Sequence, residues 1–205
     1  MEENIYNNIN YPEQIHTINE WAFKLRYEFS KKLECFLSSA MIIDYISAKL
    51  FKSNKLALLS TKPPVELNII NSSLFFYDKS YSNNFFSSNK PLLWINAFDK
   101  DKFQELKYKK MDSFGFTSGI SLYSGDKEET MSISFATYET NKDINTYYMK
   151  NIDYLYKIAS FVERISFPMF SEIFSNNPCK NHFNRSNLKS NCPVFLAVNN
   201  VKEKS

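Results

Sequence analysis

Cys179, His182 and Cys192 form the one stretch in which metal-ligating side chains follow each other closely, with two residues between the first pair. Structural zinc takes four ligands, and no convincing fourth stands nearby, so no metal is assigned there and no cofactor is implied. His16 is isolated near the amino terminus, without the cysteine or serine partner pattern of nucleophilic catalysis, and the chain is not read as an enzyme. All three glycines of the 205 residues fall between Gly115 and Gly125, which excludes glycine-rich phosphate loops and dinucleotide fingerprints. The tail cations Lys180, Arg185, Lys189, Lys202 and Lys204 are separated and partly flanked by acid, the pattern of a solvated tail rather than a phosphate-binding patch. A net charge of only +3 likewise advertises neither nucleic acid nor an anionic membrane. What remains is non-covalent chemistry: hydrogen-bonding side chains set among aromatics that make up 17% of the chain, enough to require a packed core.

The elements that position such residues can be read from periodicity. Ile15 to Leu50 shows helical spacing through Ile18, Trp21, Leu25, Phe29, Leu33 and Leu37, which predicts one or two helices. Lys55 to Leu59 reads as a short strand ending at Lys62-Pro63-Pro64, and Val65 to Asn71 as a short helix. Leu74 to Tyr77 reads as extended or buried, Asn83 to Lys90 as a polar loop, and Pro91-Leu92-Leu93-Trp94 as its return to the core. Lys100 to Lys110 is a charged helix. A β-hairpin is predicted with strands Phe116 to Tyr123 and Thr130 to Thr137, the second alternating Met131, Ile133 and Phe135 with Ser132, Ser134 and Ala136. Helical spacing returns from Asp143 to Phe170, with Pro168 marking its end. The sum is an α/β (α+β) layered domain whose antiparallel sheet is covered by helices, organised as an amino-terminal helical segment (1–32), a central domain (33–170) and a polar tail (171–205).

Glu2 and Glu3 stand where a secretory signal carries positive charge, no window approaches the roughly 20 apolar residues of a membrane span, and three widely spaced cysteines make no disulfide framework. A cytoplasmic protein without membrane association is expected.

The string Phe114-Gly115-Phe116-Thr117-Ser118-Gly119-Ile120-Ser121, followed after a turn by Met131-Ser132-Ile133-Ser134-Phe135-Ala136, resembles the autoinducer-binding domain of LuxR-type quorum-sensing regulators. Pro91-Leu92-Leu93-Trp94 resembles the family's proline and tryptophan segment, and Tyr77-Asp78 lies upstream of it at about the family's separation. The resemblance implies a GAF/PAS-like α/β/α sandwich around a central antiparallel five-stranded sheet, with an N-acyl homoserine lactone held between the sheet and the helices on one side. It further implies that Trp94 donates its indole N–H to the lactone carbonyl, that Asp78 accepts the ligand amide N–H, and that Ser132 approaches the amide carbonyl, with Ser80 in the same polar cluster. Each residue also has a plain reading: Trp94 as core filling, Asp78 as a turn or helix cap, Ser132 as the polar side of an ordinary strand.

The chain departs from the family in three places. The helix upstream of Asp78, Val65 to Ile70, lacks the family's tryptophan and tyrosine; Lys79 replaces the proline that normally follows the aspartate; and too few residues follow Phe170 for the DNA-binding helix-turn-helix. Two functions follow. One is a stand-alone sensor in quorum sensing and transcription regulation that binds a lactone or similar small amphipathic signal, without direct DNA binding, as a homodimer. The other is a ligand-independent module that heterodimerises with full-length LuxR-type regulators and inhibits them.

Overall fold

Residues 45–51 carry a period of two that a helical reading hides. Ile46, Ala48 and Leu50 alternate with Tyr45, Ser47, Lys49 and Phe51, and every one of these side chains is buried. A strand with both faces covered shows no polar-outward signal, which is why the sequence reads as continuous helix here. In the computed structural model, which describes residues 14–16, 20–37, 42–52, 55–82, 90–125, 129–140, 143–175 and 196–197, the predicted helical run from Ile15 to Leu50 is accordingly replaced by three elements. These are strand β1 (Gln14–His16), helix α1 (Glu20–Leu37) and strand β2 (Tyr45–Lys52).

Strand β3 (Lys55–Ser60) follows, then helix α2 (Pro63–Asn71), which begins on two prolines that its first turn tolerates because their missing N–H groups would be unpaired there anyway. Two 3₁₀ turns, Leu74–Tyr77 and Lys79–Tyr81, flank Asp78. The chain then passes through β4 (Leu92–Leu93), α3 (Trp94–Ala97), a 3₁₀ turn at Lys100–Lys102 and α4 (Phe103–Lys110). The predicted hairpin is β5 (Ser118–Gly125) and β6 (Glu129–Thr137). Helices α5 (Ile144–Lys150) and α6 (Ile152–Ser175) and the short strand β7 (Leu196–Ala197) complete the described chain.

Pro168 does not end α6, as the sequence suggested, but sits inside it. Proline removes one hydrogen bond, to the carbonyl four residues back, and Pro168 and Arg164 are both exposed residues, so the break falls on the solvent side of the helix.

The sheet order is β4-β5-β6-β2-β3-β1-β7. The body β4-β5-β6-β2-β3 is the expected five-stranded antiparallel sheet; β1 adds to β3 in parallel and β7 to β1 in antiparallel fashion. One face packs Ile46, Leu50, Leu59, Leu122, Ile133 and Phe135 against α1 and α6. The other packs Tyr45, Phe51, Leu58 and Tyr123 against α2, α3 and α4 and the turns between them. The result is the α/β/α sandwich anticipated from the sequence. Among the described residues no helix is long and apolar enough to cross a membrane. The Cys179, His182 and Cys192 segment and most of the predicted tail lie outside the described residues.

Candidate functional site

On the α2–α4 side the sheet presents two adjoining polar rows. Strand register sets Ser60 opposite Ser47, Ser47 opposite Ser134, and Ser134 opposite Ser121, so four serines cross β3, β2, β6 and β5 in line. The next row on the same face runs Leu58, Lys49, Ser132, Tyr123. All of these side chains are buried, Lys49 completely. Facing them are three further buried charges: Glu66 from α2, Asp78 from the point between the 3₁₀ turns, and Lys110 from the last turn of α4.

Lys110 is the hub of one half. Its Nζ donates to Asp78 Oδ2 at 2.6 Å and to Ser80 Oγ at 3.0 Å, and it lies 4.3 Å from the Trp94 ring centroid. Asp78 Oδ1 accepts the Ser80 backbone N–H at 2.9 Å, so the aspartate also caps the second 3₁₀ turn, as its plain reading held. Burial by itself would raise the Asp78 pKa, but the Lys110 ammonium and its hydrogen bond, with Lys49 behind them, hold the carboxyl below its ordinary value. Burial pushes Lys110 below the ordinary lysine value, against the pull of Asp78.

Lys49 and Glu66 form the other half. The Tyr45 and Tyr81 phenols both donate to the Glu66 carboxylate, while Lys49 Nζ stands 3.5 Å from Glu66 Oε1 and 3.4 Å from Ser134 Oγ. Burial first, then the Glu66 charge, drives the Tyr45 phenol well above its usual pKa, so it stays a neutral donor. Arg26 of α1, buried with no partner for its Nε among the described residues, is drawn down to about 10 by burial against the attraction of Glu66. Ser134 Oγ is 2.8 Å from Ser121 Oγ, and the Trp94 indole N–H donates to Ser121 at 3.2 Å. A line of polar contacts thus runs from the indole across the sheet to Glu66, its last two steps made through Lys49 at 3.4 and 3.5 Å.

Trp94 reaches this position because Gly119 has no side chain. A Cβ at Gly119 would collide with the six-membered ring of the indole, so the glycine is required by close approach, whereas Gly125 ends β5 at φ +113°, a backbone angle that favours glycine. Tyr45 and Phe116 meet the indole edge-on, with centroids 5.7 Å and 6.2 Å away.

No family model and no curated protein matches the chain. Among solved structures it is similar to the N-acylhomoserine lactone dependent LuxR family transcription factor CepR2 from Burkholderia cenocepacia, at 14% identity and a TM-score of 0.47, over 73% of this chain and 94% of that one. It is similar to Escherichia coli SdiA at 16% identity and 0.44, over 80% and 68%. SdiA in complex with octanoyl-rac-glycerol aligns at 17% and 0.39, over 59% of this chain and 49% of that one.

The four residues singled out from sequence are placed as follows. Trp94, Asp78 and Ser80 gather around Lys110, and Ser132 lies on the sheet beside Lys49. All four are fully buried on the same side of the sheet. Sequence reasoning missed Lys49, Glu66, Lys110, Tyr45 and Tyr81. A signal existed for two of them: a lysine in the middle of an apolar strand and a lone acid in the otherwise neutral run Val65 to Ile70. Lys110 had none, because Lys107 and Lys109 beside it make it look like surface charge. A separate cleft of about 220 Å³, lined by Thr117, Ser118, Glu139, Thr140, Asp143, Ile144 and Asn145, opens near the start of α5, and its lining includes none of these buried charges.

Proposed function

We propose that this chain is a LuxR-like signal-binding domain that takes an N-acyl homoserine lactone, or a similar small amphipathic signal, between the sheet and α2–α4. The observation that carries this reading is the convergence of Trp94, Asp78, Ser80 and Ser132 in one buried layer that also holds Lys49, Glu66 and Lys110, joined as the buried pairs Lys49–Glu66 and Lys110–Asp78. Stability gives no reason for such a layer, since replacing buried ion pairs by apolar residues is often neutral or stabilising. Recognition does, because a ligand with an amide and a ring carbonyl needs a few fixed donors and acceptors in an otherwise apolar surrounding.

The roles are compatible with the bonds already made. A ligand carbonyl replaces Ser121 as acceptor of the Trp94 N–H, and Ser121 keeps its contact with Ser134. Each Asp78 oxygen has a second lone pair, so the carboxylate accepts an amide N–H while retaining Lys110 and the Ser80 N–H. Ser132 Oγ makes no hydrogen bond among the described residues and is available to a ligand carbonyl. A buried acyl chain adds about 0.8 kcal/mol per methylene. The domain acts in the cytoplasm as a dimer in quorum sensing.

The test is thermal denaturation of the full chain with lactones of increasing acyl length. Ligand at one hundred times its Kd stabilises by about 2.7 kcal/mol, so Tm rises with concentration and chain length. A flat response at saturating ligand sinks the proposal.

A second reading is favoured by one observation: the Trp94 N–H and both Asp78 oxygens have partners within the chain, so the layer stands without a ligand. In that reading the domain pairs with full-length LuxR-type regulators and inhibits them. Mixing the two and following size distribution and DNA retention decides; the absence of a mixed species ends it.

A further inference from the structure

Buried charge in this layer is unevenly satisfied. Glu66 receives two phenols, and Asp78 receives the Lys110 ammonium and a backbone N–H. Lys49 lies 4.6 Å from the Tyr81 ring centroid and makes only long polar contacts. Its ammonium is fully buried and has three donors, yet its contacts to Glu66 and Ser134, at 3.5 and 3.4 Å, both exceed the usual 2.7–3.2 Å of an N–H···O bond.

The hydroxyls around it share the deficit. Ser132 is the direct cross-strand partner of Lys49, and Ser47 precedes Lys49 by two positions on the same face of β2. Neither Ser132 Oγ nor Ser47 Oγ makes a hydrogen bond among the described residues, although both are buried. The Tyr123 and Tyr45 phenols lie near these hydroxyls, yet neither pair achieves hydrogen-bond geometry. Directly opposed cross-strand residues carry Cβ atoms about 4.5–5.5 Å apart, close enough for one small group to meet side chains from both strands.

The charge of the layer has the same sense. Lys49 and Lys110 face Glu66 and Asp78, and Arg26 of α1 lies close enough to feel the Glu66 charge, so three cations surround two anions where side chains are buried. All three under-satisfied groups can donate a hydrogen bond, so their complement is an acceptor with several lone pairs and a negative charge. A carboxylate has about four lone-pair sites and one charge; a lactone carbonyl has two and none.

We propose that the head group of the signal is a carboxylate, seated on Lys49 Nζ and the Ser132 and Ser47 hydroxyls. This rests on the reading of the layer as a signal-binding site and changes the pose given above: the acid head group, not the amide carbonyl, takes Ser132, and the Trp94 N–H keeps Ser121. It specifies the chemical class of the signal as an acyl amide with a free acid rather than a closed ring. Charge-assisted hydrogen bonds exceed neutral ones by roughly a factor of two in strength, which makes the acid about tenfold tighter than its neutral counterpart.

Calorimetric titration of the full chain with N-octanoyl-homoserine, the ring-opened acid, and with its matched lactone tests the assignment. The acid binds about tenfold tighter to the native protein. Lys49→Met abolishes that preference, Lys49→Arg keeps most of it, and Ser132→Ala reduces it a few-fold. A lactone that binds as tightly as the acid overturns the carboxylate assignment and leaves the proposed function in place; binding of neither compound overturns both. Should Lys49→Met not fold, Ser132→Ala alone decides, and an undiminished preference in that variant removes the anion from this patch.

Discussion

The two faces of the central sheet are made by the same strands and have opposite chemistry. Toward α1 and α6, β2, β3, β5 and β6 present Ile46, Ala48, Leu50, Ala57, Leu59, Ile120, Leu122, Met131, Ile133 and Phe135, all apolar. Toward α2, α3 and α4 the alternate positions of those strands present Ser47, Lys49, Ser60, Ser121, Ser132 and Ser134. On the first face the buried hydroxyls lie on helices or at strand ends and each has a partner outside the apolar rows: Ser166 donates to Val162 O at 2.8 Å, Tyr148 to Ile42 O at 2.8 Å, Ser118 to Asn145 Oδ1 at 2.6 Å and Thr137 to Asp44 Oδ2 at 2.7 Å. On the second, polar atoms answer one another across elements far apart in sequence, as Lys110 does with Asp78 and Lys49 with Glu66. The period of two in a strand lets one run of sequence specify an apolar surface and a polar one independently.

If the polar face is held by mutual compensation, breaking one partner is far more damaging than removing both. Asp78→Ala leaves the Lys110 ammonium buried without its carboxylate and costs about 3–5 kcal/mol in urea denaturation. The double change Asp78→Leu with Lys110→Met recovers most of that loss, while signal binding disappears. A single-mutant loss below about 1 kcal/mol would mean the polar face is as tolerant as a solvated surface, and the contrast between the faces would vanish.

Acid removes the same charge without mutation. Asp78 has a folded pKa below its ordinary 3.8, so its stabilising contribution is complete above the unfolded value and is lost as the pH falls through the lower folded one. The expected outcome is a steep acid limb below about pH 4 in the native protein and a shallower one in Asp78→Asn, read from Tm against pH. Apolar-face variants such as Ile133→Val leave the slope of that limb unchanged; parallel limbs for the native protein and Asp78→Asn would detach Asp78 from the pair.

Gly119→Ala tests the join between the indole and the polar rows. The new methyl collides with the Trp94 ring, so the indole moves off Ser121 or the strand shifts, at about 1–3 kcal/mol. Tryptophan emission and signal affinity change together with stability. An unchanged emission spectrum and affinity would show that the Trp94 position is not fixed by this contact.

The difference between the faces also explains what was legible in the sequence. Alternation along Met131 to Ala136 and the grouping of the glycines revealed the hairpin, because a strand with small polar residues on one face has a clear period. β2 was read as helix because Tyr45 and Phe51 are apolar on the polar face as well, leaving Ser47 and Lys49 as isolated interruptions. Trp94, Asp78 and its neighbour Ser80 were found through motif resemblance, but their partners from other elements were not. Ser121, Lys110 and Lys49 are joined to them only through strand register and helix placement, which no local spacing encodes. Pro168 misled because proline's effect on a helix depends on whether the orphaned carbonyl is exposed, a tertiary property.

The smallest effects are the most discriminating, since they come from neighbouring residues that point opposite ways. Ile133→Val removes one methylene from the apolar face and destabilises by about 0.5–1.5 kcal/mol, with no change in signal affinity. Ser132→Ala removes a buried hydroxyl that has no partner among the described residues, and relief of that desolvation stabilises the unliganded protein by about 1 kcal/mol. In the proposed site the same substitution weakens signal binding, because there the hydroxyl takes its partner from the ligand. Chemical denaturation of both variants with and without signal gives four numbers with a required pattern of signs. If Ser132→Ala instead destabilises the empty protein, its hydroxyl is held by the fold itself, and the polar face at that position is structure rather than an unfilled half of a recognition contact.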